Sequence, residues 1–282
     1  MILVTGATGN VGKELVPLLL ESGARVRVML RNPPAATHLD ARVDCVHGNL
    51  DEPHTLRAAL HDVRAAYLIA FETRQVENFT TAARAAGVRY IVRQSTQEAG
   101  VEPPVGPGRW HRTQEQLIER SDLGWTHIRP TMMTVNTIGW WADTIHTRGE
   151  VVFPGGAGLV APIDPKDIAA VACATLTGTG HEGRAYEVTG PDLLSGAGMA
   201  QVLARVLNTR IKYVDVPETA TGDWLTQFGF SPSLMAALAE TLGNLRSNRF
   251  AYVTDTVERL TGRTPRRFEE WCGANVAAFR RL

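Results

Sequence analysis

The run Gly6-Ala7-Thr8-Gly9-Asn10-Val11-Gly12 carries the clearest chemical signal in the chain. It follows a β-type segment, residues 1–5, and opens a helix-like segment, residues 12–22. Backbone can approach a pyrophosphate closely where no Cβ intervenes, and glycines provide that. A helix N-terminus then offers free N–H groups and partial positive charge to the phosphates. This points to a dinucleotide held by Gly6, Thr8, Gly9, Asn10, Val11 and Gly12. The plain alternative is a glycine-rich turn that binds nothing. The end of the second strand selects the cofactor: Leu30 is followed by Arg31 and Asn32, with no carboxylate until Asp40. A guanidinium suits a 2′-phosphate, whereas an acid would suit a 2′-hydroxyl. NADP(H) is therefore expected, the alternative being that Arg31 is a solvated loop residue.

Other candidates cluster where strands end. Ser95 follows the fifth strand and points to the crevice where doubly wound sheets bind ligands, unless it serves as a cap. Ala70 and Phe71 end the fourth strand, beside the expected ribose and nicotinamide. Pro130, Met132 and Met133 end the sixth. His111 and Glu115 stand one helical turn apart, a spacing at which a carboxylate can orient an imidazole. Trp110, Met132, Met133, Trp140, Trp141 and Trp224 supply apolar surface for a flat conjugated molecule, although aromatic residues serve a core equally well. Asp164 and Asp167 read as a loop-fixing residue and a helix cap, ahead of an acid pair.

The elements that must position these residues alternate. Strands are expected near 1–5, 25–30, 43–47, 65–70, 89–94 and 125–129, with helices near 12–22, 53–61, 73–86 and 110–121. Apolar strands alternating with helices imply a parallel sheet, and right-handed crossovers make it doubly wound. The fold expected is α/β: a Rossmann-like domain over residues 1–130, with a smaller α+β lobe over 131–282 that interleaves with it. In that lobe, short strands are expected near 151–153, 185–188 and 210–216, and helices near 167–176, 198–207, 233–242, 254–260 and 268–279. Pro17 falls inside the first helix, where it removes a hydrogen bond.

Composition narrows the field. The 282 residues carry 29 Lys+Arg against 29 Asp+Glu, which disfavours phosphate-neutralising nucleic-acid binding. Cys45, Cys173 and Cys272 lie far apart and no Cys/His spacing suits a metal, so no metal site is expected. The sparse cysteines and the absence of a leader or long apolar run point to the cytoplasm. A small-molecule substrate is expected, with no nucleic-acid or membrane partner, on a monomer or homodimer.

The glycine run resembles the GATGxxG loop of the atypical short-chain dehydrogenase/reductases, and more narrowly the NmrA-like family. Further segments agree: Gly48-Asn49-Leu50-Asp51 with G-D-L-x-D, Gln94-Ser95-Thr96 with a serine pair, and Trp125-Thr126-His127-Ile128-Arg129-Pro130 with WTxLRP. So do residues 163–169 with V-D-V-x-D-I-A and residues 186–191 with YELTGP. The resemblance implies that Asn49 and Leu50 flank the adenine and that Asn136 lies near the substrate. It also places His111 where relatives often have a catalytic lysine, to hold the nicotinamide ribose, donate a proton, or both. The wider superfamily's YxxxK pair is missing: Tyr67, Tyr90, Tyr186, Tyr213 and Tyr252 are followed four residues on by Phe71, Gln94, Gly190, Pro217 and Thr256.

These observations lead to an NADPH-dependent oxidoreductase that passes hydride to a quinone, imine, iminium or enone, acceptors that ask less proton donation than a simple ketone. A role in secondary metabolism fits the resemblance. The alternative is a non-catalytic NADP(H)-binding redox sensor acting through a protein partner. An isomerase that retains its cofactor is a further reading.

Overall fold

The computed structural model describes residues 1–32 and 39–280. Chain order is β1 (Ile2–Thr5), α1 (Gly12–Glu21), β2 (Val26–Leu30), β3 (Asp44–His47), α2 (Pro53–Ala59), β4 (Ala65–Leu68), α3 (Thr73–Ala86) and β5 (Tyr90–Gln94). Next come α4 (Gly108–Glu119), β6 (Gly124–Pro130), α5 (Asn136–Arg148), β7 (Glu150–Phe153), α6 (Pro165–Thr177) and β8 (Arg184–Val188). The remainder is α7 (Gly196–Leu207), β9 (Lys212–Asp215), α8 (Thr221–Thr226), α9 (Pro232–Arg246), α10 (Thr256–Thr261), α11 (Phe268–Ala274) and α12 (Val276–Phe279).

Seven strands form one sheet in the order β3-β2-β1-β4-β5-β6-β8, every pair parallel. This is the Rossmann-like architecture. Successive residues of each strand point to opposite faces. Leu3, Met29, Ala66, Leu68 and Ile91 therefore enter one core, and Val4, Val28, Tyr67, Val92 and Ile128 enter another. Burial on both faces explains why the strands read as unbroken apolar runs. On one face α1 lies against α6, where the small run Ile168, Ala169, Val171 and Ala172 allows close approach. Pro17 sits on the exposed side of α1, so the carbonyl that loses its partner there is open to water.

The chain winds from β1 outward to β3 and then restarts at β4 on the other side of β1. The resulting crevice, at the C-terminal ends of β1 and β4, is the topological switch point where such sheets take ligands.

A third core lies off the sheet. Trp141, Phe153, Met199, Leu203, Trp224 and Phe268 anchor it, between α5, α7, α8, α9, α11 and the small parallel pair β7–β9. The main sheet nonetheless draws β8 from residues 184–188, so the two regions interleave along the chain.

Three local readings change. The helix α5 is absent from the sequence reading: its Gly139 and several β-branched residues lower helix propensity, and packing of Trp141 and Ile145 into the third core overrides that. The expected helix over 268–279 breaks at Asn275 into α11 and α12. The cap of α6 is Asp164, which accepts from the Lys166 N–H at 2.8 Å, while Asp167 sits in the first turn and accepts from the Arg266 N–H at 2.8 Å. Asp167 is thus a tether to the C-terminal segment and leaves the capping to Asp164.

Candidate functional site

The glycine loop lies at the mouth of the crevice. Gly6 has φ +63°, a left-handed conformation that glycine adopts without strain. A Cβ on Gly12 would run into the Gly6 carbonyl and lie 2.7 Å from Ala7 Cα, so the helix can start this close to the strand with glycine alone. Gly6, Thr8, Gly9 and Asn10 are exposed, while Ala7 and Val11 anchor the loop in the core. Among the described residues, the N–H groups of Asn10 and Val11 donate to no backbone carbonyl. Exposed N–H groups at a helix start, beside backbone that no Cβ shields, fit a pyrophosphate. Arg31 and Asn32 are exposed at the end of β2, the strand next to β1 and one strand over from the crevice, in the direction expected of an adenosine ribose.

Asn49 and Leu50 follow β3. The Asn49 side chain is engaged locally: Nδ2 donates to Glu52 Oε1 at 2.8 Å and Oδ1 accepts from the Asp51 N–H at 3.1 Å. Its amide holds the turn before α2.

On the far side of the crevice the chain passes Ile69, Ala70 and Phe71. A Cβ on Gly6 would meet Ile69 Cγ2 at 2.5 Å, so this segment abuts the glycine loop. The same three residues line a cavity of about 430 Å³. That volume is of the size that takes a small organic molecule. Phe71 is 77% exposed, an unusual position for a large apolar ring unless a ligand covers it.

The cavity floor comes from the ends of β5 and β6. Ser95 is buried, its N–H donates to the Ile128 carbonyl at 2.7 Å, and its hydroxyl has no partner of normal geometry. Gln94 accepts from the Tyr67 hydroxyl. Burial pushes that phenol above the tyrosine range, so Tyr67 is no acid at neutral pH. Pro130, Met132 and Met133 continue the floor.

His111, on α4, forms one wall. Arg93 lies beneath it, fully buried on β5, and its Nη2 contacts His111 Nδ1 at 3.0 Å and also donates to Gln114. A guanidinium cannot accept a hydrogen bond, so Nδ1 accepts and the ring proton sits on Nε2. Burial, and then the Arg93 charge, push His111 down to about 3. The ring is therefore a neutral N–H donor, and no imidazolium is available near neutrality. Gln114 in turn donates to the Phe71 carbonyl at 3.1 Å, linking this group to the crevice edge.

Glu115 does not orient His111. Its carboxylate is fully buried and gripped by Arg129, at 3.0 Å from Nε and 2.7 Å from Nη2, and by Arg112 at 3.1 Å. Burial favours the neutral acid there, but the Arg129 fork outweighs it and holds the carboxyl below the usual range. Spacing along the helix alone pointed to His111; the strand beneath it, β6, supplies the stronger partner. Glu115, Glu119 and His127 also stand within metal-ligating distance of one another. Arg112 and Arg129 already occupy those carboxylates, which leaves a further cation unfavoured.

The aromatic wall is real and differs in membership from the expectation. Met132, Met133, Asn136, Trp140 and Trp224 line the cavity. Trp140 stacks on Phe153 with ring centres 5.5 Å apart, and Trp224 meets Phe153 edge-on at 5.9 Å. Trp141 is core. Trp110 is 40% exposed and outside the cavity. It precedes His111 on α4, and one residue turns a helix by about 100°, so the two side chains cannot share a face. Residues the sequence reading missed include Phe153, Phe230, Leu238, Phe250 and Glu98. Leu238 is on α9, which lines the cavity with Leu234, Leu238, Thr241, Leu242 and Leu245, residues spaced to share one helix face.

Residues 6–179 match the NAD(P)H-binding family. The chain is 37% identical to an NAD(P)H azoreductase of Xenophilus azovorans, over 99% of both chains. It is likewise 37% identical to a (4-alkanoyl-5-oxo-2,5-dihydrofuran-3-yl)methyl phosphate reductase of Streptomyces griseus, again over 99% of both. Among solved structures, an NADPH-dependent quinone oxidoreductase from Escherichia coli superposes with a TM-score of 0.86 at 25% identity, covering 97% of this chain and 99% of that one.

Proposed function

Because the chain belongs to the NAD(P)H-binding, NmrA-like branch of the atypical short-chain dehydrogenase/reductases, we propose that it is an NADPH-dependent reductase of flat, conjugated small molecules. Quinones, azo compounds, iminium ions and enones form the acceptor class. One observation carries this reading: Ile69–Phe71 both abut the glycine loop and line the aromatic cavity, so a dinucleotide laid along the crevice ends at the cavity mouth.

When bound, the dinucleotide supplies hydride; the protein supplies position and electrostatics. The exposed N–H groups at the start of α1 hold the pyrophosphate, and Arg31 takes the 2′-phosphate. The Ser95 hydroxyl, which lies beside the Glu115 carboxylate, and the Nε2–H of His111 are the cavity-lining donors for a carbonyl, a ribose hydroxyl or an azo nitrogen. Trp140, Phe153 and Trp224 exclude water and hold a planar acceptor. A proton-donating Tyr–Lys pair is not required for acceptors that delocalise the arriving charge. The free thiols Cys45, Cys173 and Cys272 suit a reducing compartment, and we place the protein in the cytoplasm, acting on a small molecule as a monomer or homodimer.

The test is anaerobic NADPH oxidation against a panel of quinones, azo dyes and iminium salts. Turnover of at least one class is expected. Tight binding of NADPH with no turnover across the panel would overturn the reading in favour of a redox sensor.

A further inference from the structure

Among the described residues, the titratable side chains in the cavity wall are His111 and Glu98. His111 is held neutral by burial and then by Arg93, which keeps the ring proton on Nε2 through the ordinary pH range. That leaves the reaction proposed above without a proton source, because hydride arriving at a neutral quinone or azo group leaves an anionic oxygen or nitrogen.

We infer that Glu98 is the general acid: resting on the reductase reading, its protonated carboxyl delivers a proton to the acceptor heteroatom as hydride reaches the conjugated carbon or nitrogen. The Glu98 O–H bond breaks and an O–H or N–H bond forms on the acceptor. The acceptor gains two electrons, the reduced nicotinamide dinucleotide loses them, and solvent reprotonates the carboxylate. The sum is one acceptor, one reduced dinucleotide and one proton giving the dihydro product and the oxidised dinucleotide.

The placement of Glu98 is built into the fold. It lies in a one-turn 3-10 segment, Gln97–Ala99, between β5 and α4. A Cβ on Gly108 would overlap the Glu98 carbonyl and lie 2.6 Å from the Ala99 nitrogen, so α4 starts against this turn and clamps it. The Glu98 carbonyl also accepts from the Val105 N–H at 3.4 Å. The side chain is half-buried, and its Oε2 accepts from the Thr96 hydroxyl. The Thr96 contact thus fixes the carboxyl in the turn.

The surroundings favour the neutral acid. His111 on α4 and Thr241 on α9 line the same cavity as Glu98, and Tyr252 on the C-terminal segment lies within the electrostatic reach of Glu98, of Glu187 on β8 and of Arg129 on β6. Arg129 is committed to Glu115, and Arg109 is committed to Glu240 at 2.5 and 2.7 Å. Burial therefore dominates, and it raises the Glu98 carboxyl above the usual glutamate range, against the opposing pull of the Thr96 hydroxyl. A neutral donor and a raised acid lining one cavity are the division that acid–base chemistry uses.

Glu98→Gln keeps the acceptor for Thr96 and removes the proton. With a quinone or azo acceptor, kcat should fall roughly 100-fold, the scale of general acid catalysis. The loss should be at least tenfold smaller with a preformed iminium cation, whose reduction needs no proton. The NADPH dissociation constant should stay within about twofold, and Glu98→Asp should restore part of the rate. In the free protein, the infrared difference between wild type and Glu98→Gln should show a protonated carboxyl band titrating above roughly 4.3, the ordinary glutamate value. Equal losses with all acceptors, or a band titrating in the ordinary range, would overturn the proposal. Should the wild type reduce nothing in the panel, the reductase reading fails by itself, and the infrared titration still judges Glu98.

Discussion

The Nη2 of Arg93 stands 3.0 Å from Nδ1 of His111, and this contact decides what His111 can do. A buried cation beneath an imidazole fixes which nitrogen bears the proton and suppresses the charged ring. Among the described residues Arg93 forms no ion pair, its Nε and Nη1 are buried without partners, and burial opposes its charge, so this placement is costly. Arg93→Met should release His111 to titrate well above about 3, toward the ordinary value of roughly 6.5. Nitrogen NMR of the imidazole reads both tautomer and pKa; an unchanged His111 signal would show that burial alone holds it. Reductase activity should drop roughly tenfold or more as the tautomer is lost.

The glycine loop makes a sharper binding test. A Cβ at Gly9 would lie 3.2 Å from the Gly6 carbonyl and on the exposed side of the turn, where the pyrophosphate is proposed to bind. Gly9→Val should weaken NADPH at least about 100-fold while the far-ultraviolet circular dichroism stays native, since no core residue is touched. Tight NADPH binding by this variant would remove the loop from the site.

Arg31 concerns carrier choice. Arg31→Ala should weaken NADPH by roughly ten- to 100-fold, the worth of a charge-assisted fork on a phosphate, and leave NADH nearly unaffected. Equal effects on both carriers would place the 2′-phosphate elsewhere.

Asp167 governs a pH dependence of stability. Burial raises its carboxyl from 3.8 to about 6, against the Arg266 N–H that favours ionisation. A folded-state value above the unfolded one contributes stability at low pH, and that contribution fades as pH climbs from about 4 through 6. Asp167→Asn keeps an oxygen for the Arg266 N–H and should be more stable than wild type at pH 8, by up to about 3 kcal/mol, with the gain vanishing near pH 4. Urea unfolding at both pH values measures it; a pH-independent difference would contradict the assignment.

Trp224 bears on the acceptor. It meets Trp140, Phe153 and Phe228 at ring distances of 6.5, 5.9 and 4.8 Å and lines the cavity. Trp224→Ala should raise the acceptor KM and cost roughly 3–5 kcal/mol of stability. Its NADPH affinity, read by fluorescence, should be retained.

How much of this could be read beforehand follows from the range of each interaction. The strands, the parallel sheet and the glycine loop are local signals: β-branched apolar runs, a turn that demands glycine, and helices of ordinary length. Ser95, Met132 and Met133 are legible because they lie just beyond strand ends, and Trp140 and Trp224 by their aromatic character alone; all five line the cavity. Glu115 pairs with Arg129 and not His111 because helix spacing is silent on what lies under a face, and Trp110, which aromatic character alone suggested, lies outside the cavity. Glu98 had no signal at all, since an acid after a strand reads as a solvated loop residue until α4 and α9 are seen to enclose it. The helix α5 was hidden for the converse reason: its residues are poor helix formers that distant packing makes helical.

The off-sheet core has an evolutionary implication. The residues proposed to hold the carrier hang from the seven-stranded sheet, whereas most of the rings proposed to face the acceptor grow from a separately consolidated nucleus around Trp141 and Phe153. Mutations in α8 and α9 can thus remodel what is reduced without disturbing the electron supply. A scaffold partitioned in this way is free to diversify its chemistry by drift in its latter portion alone.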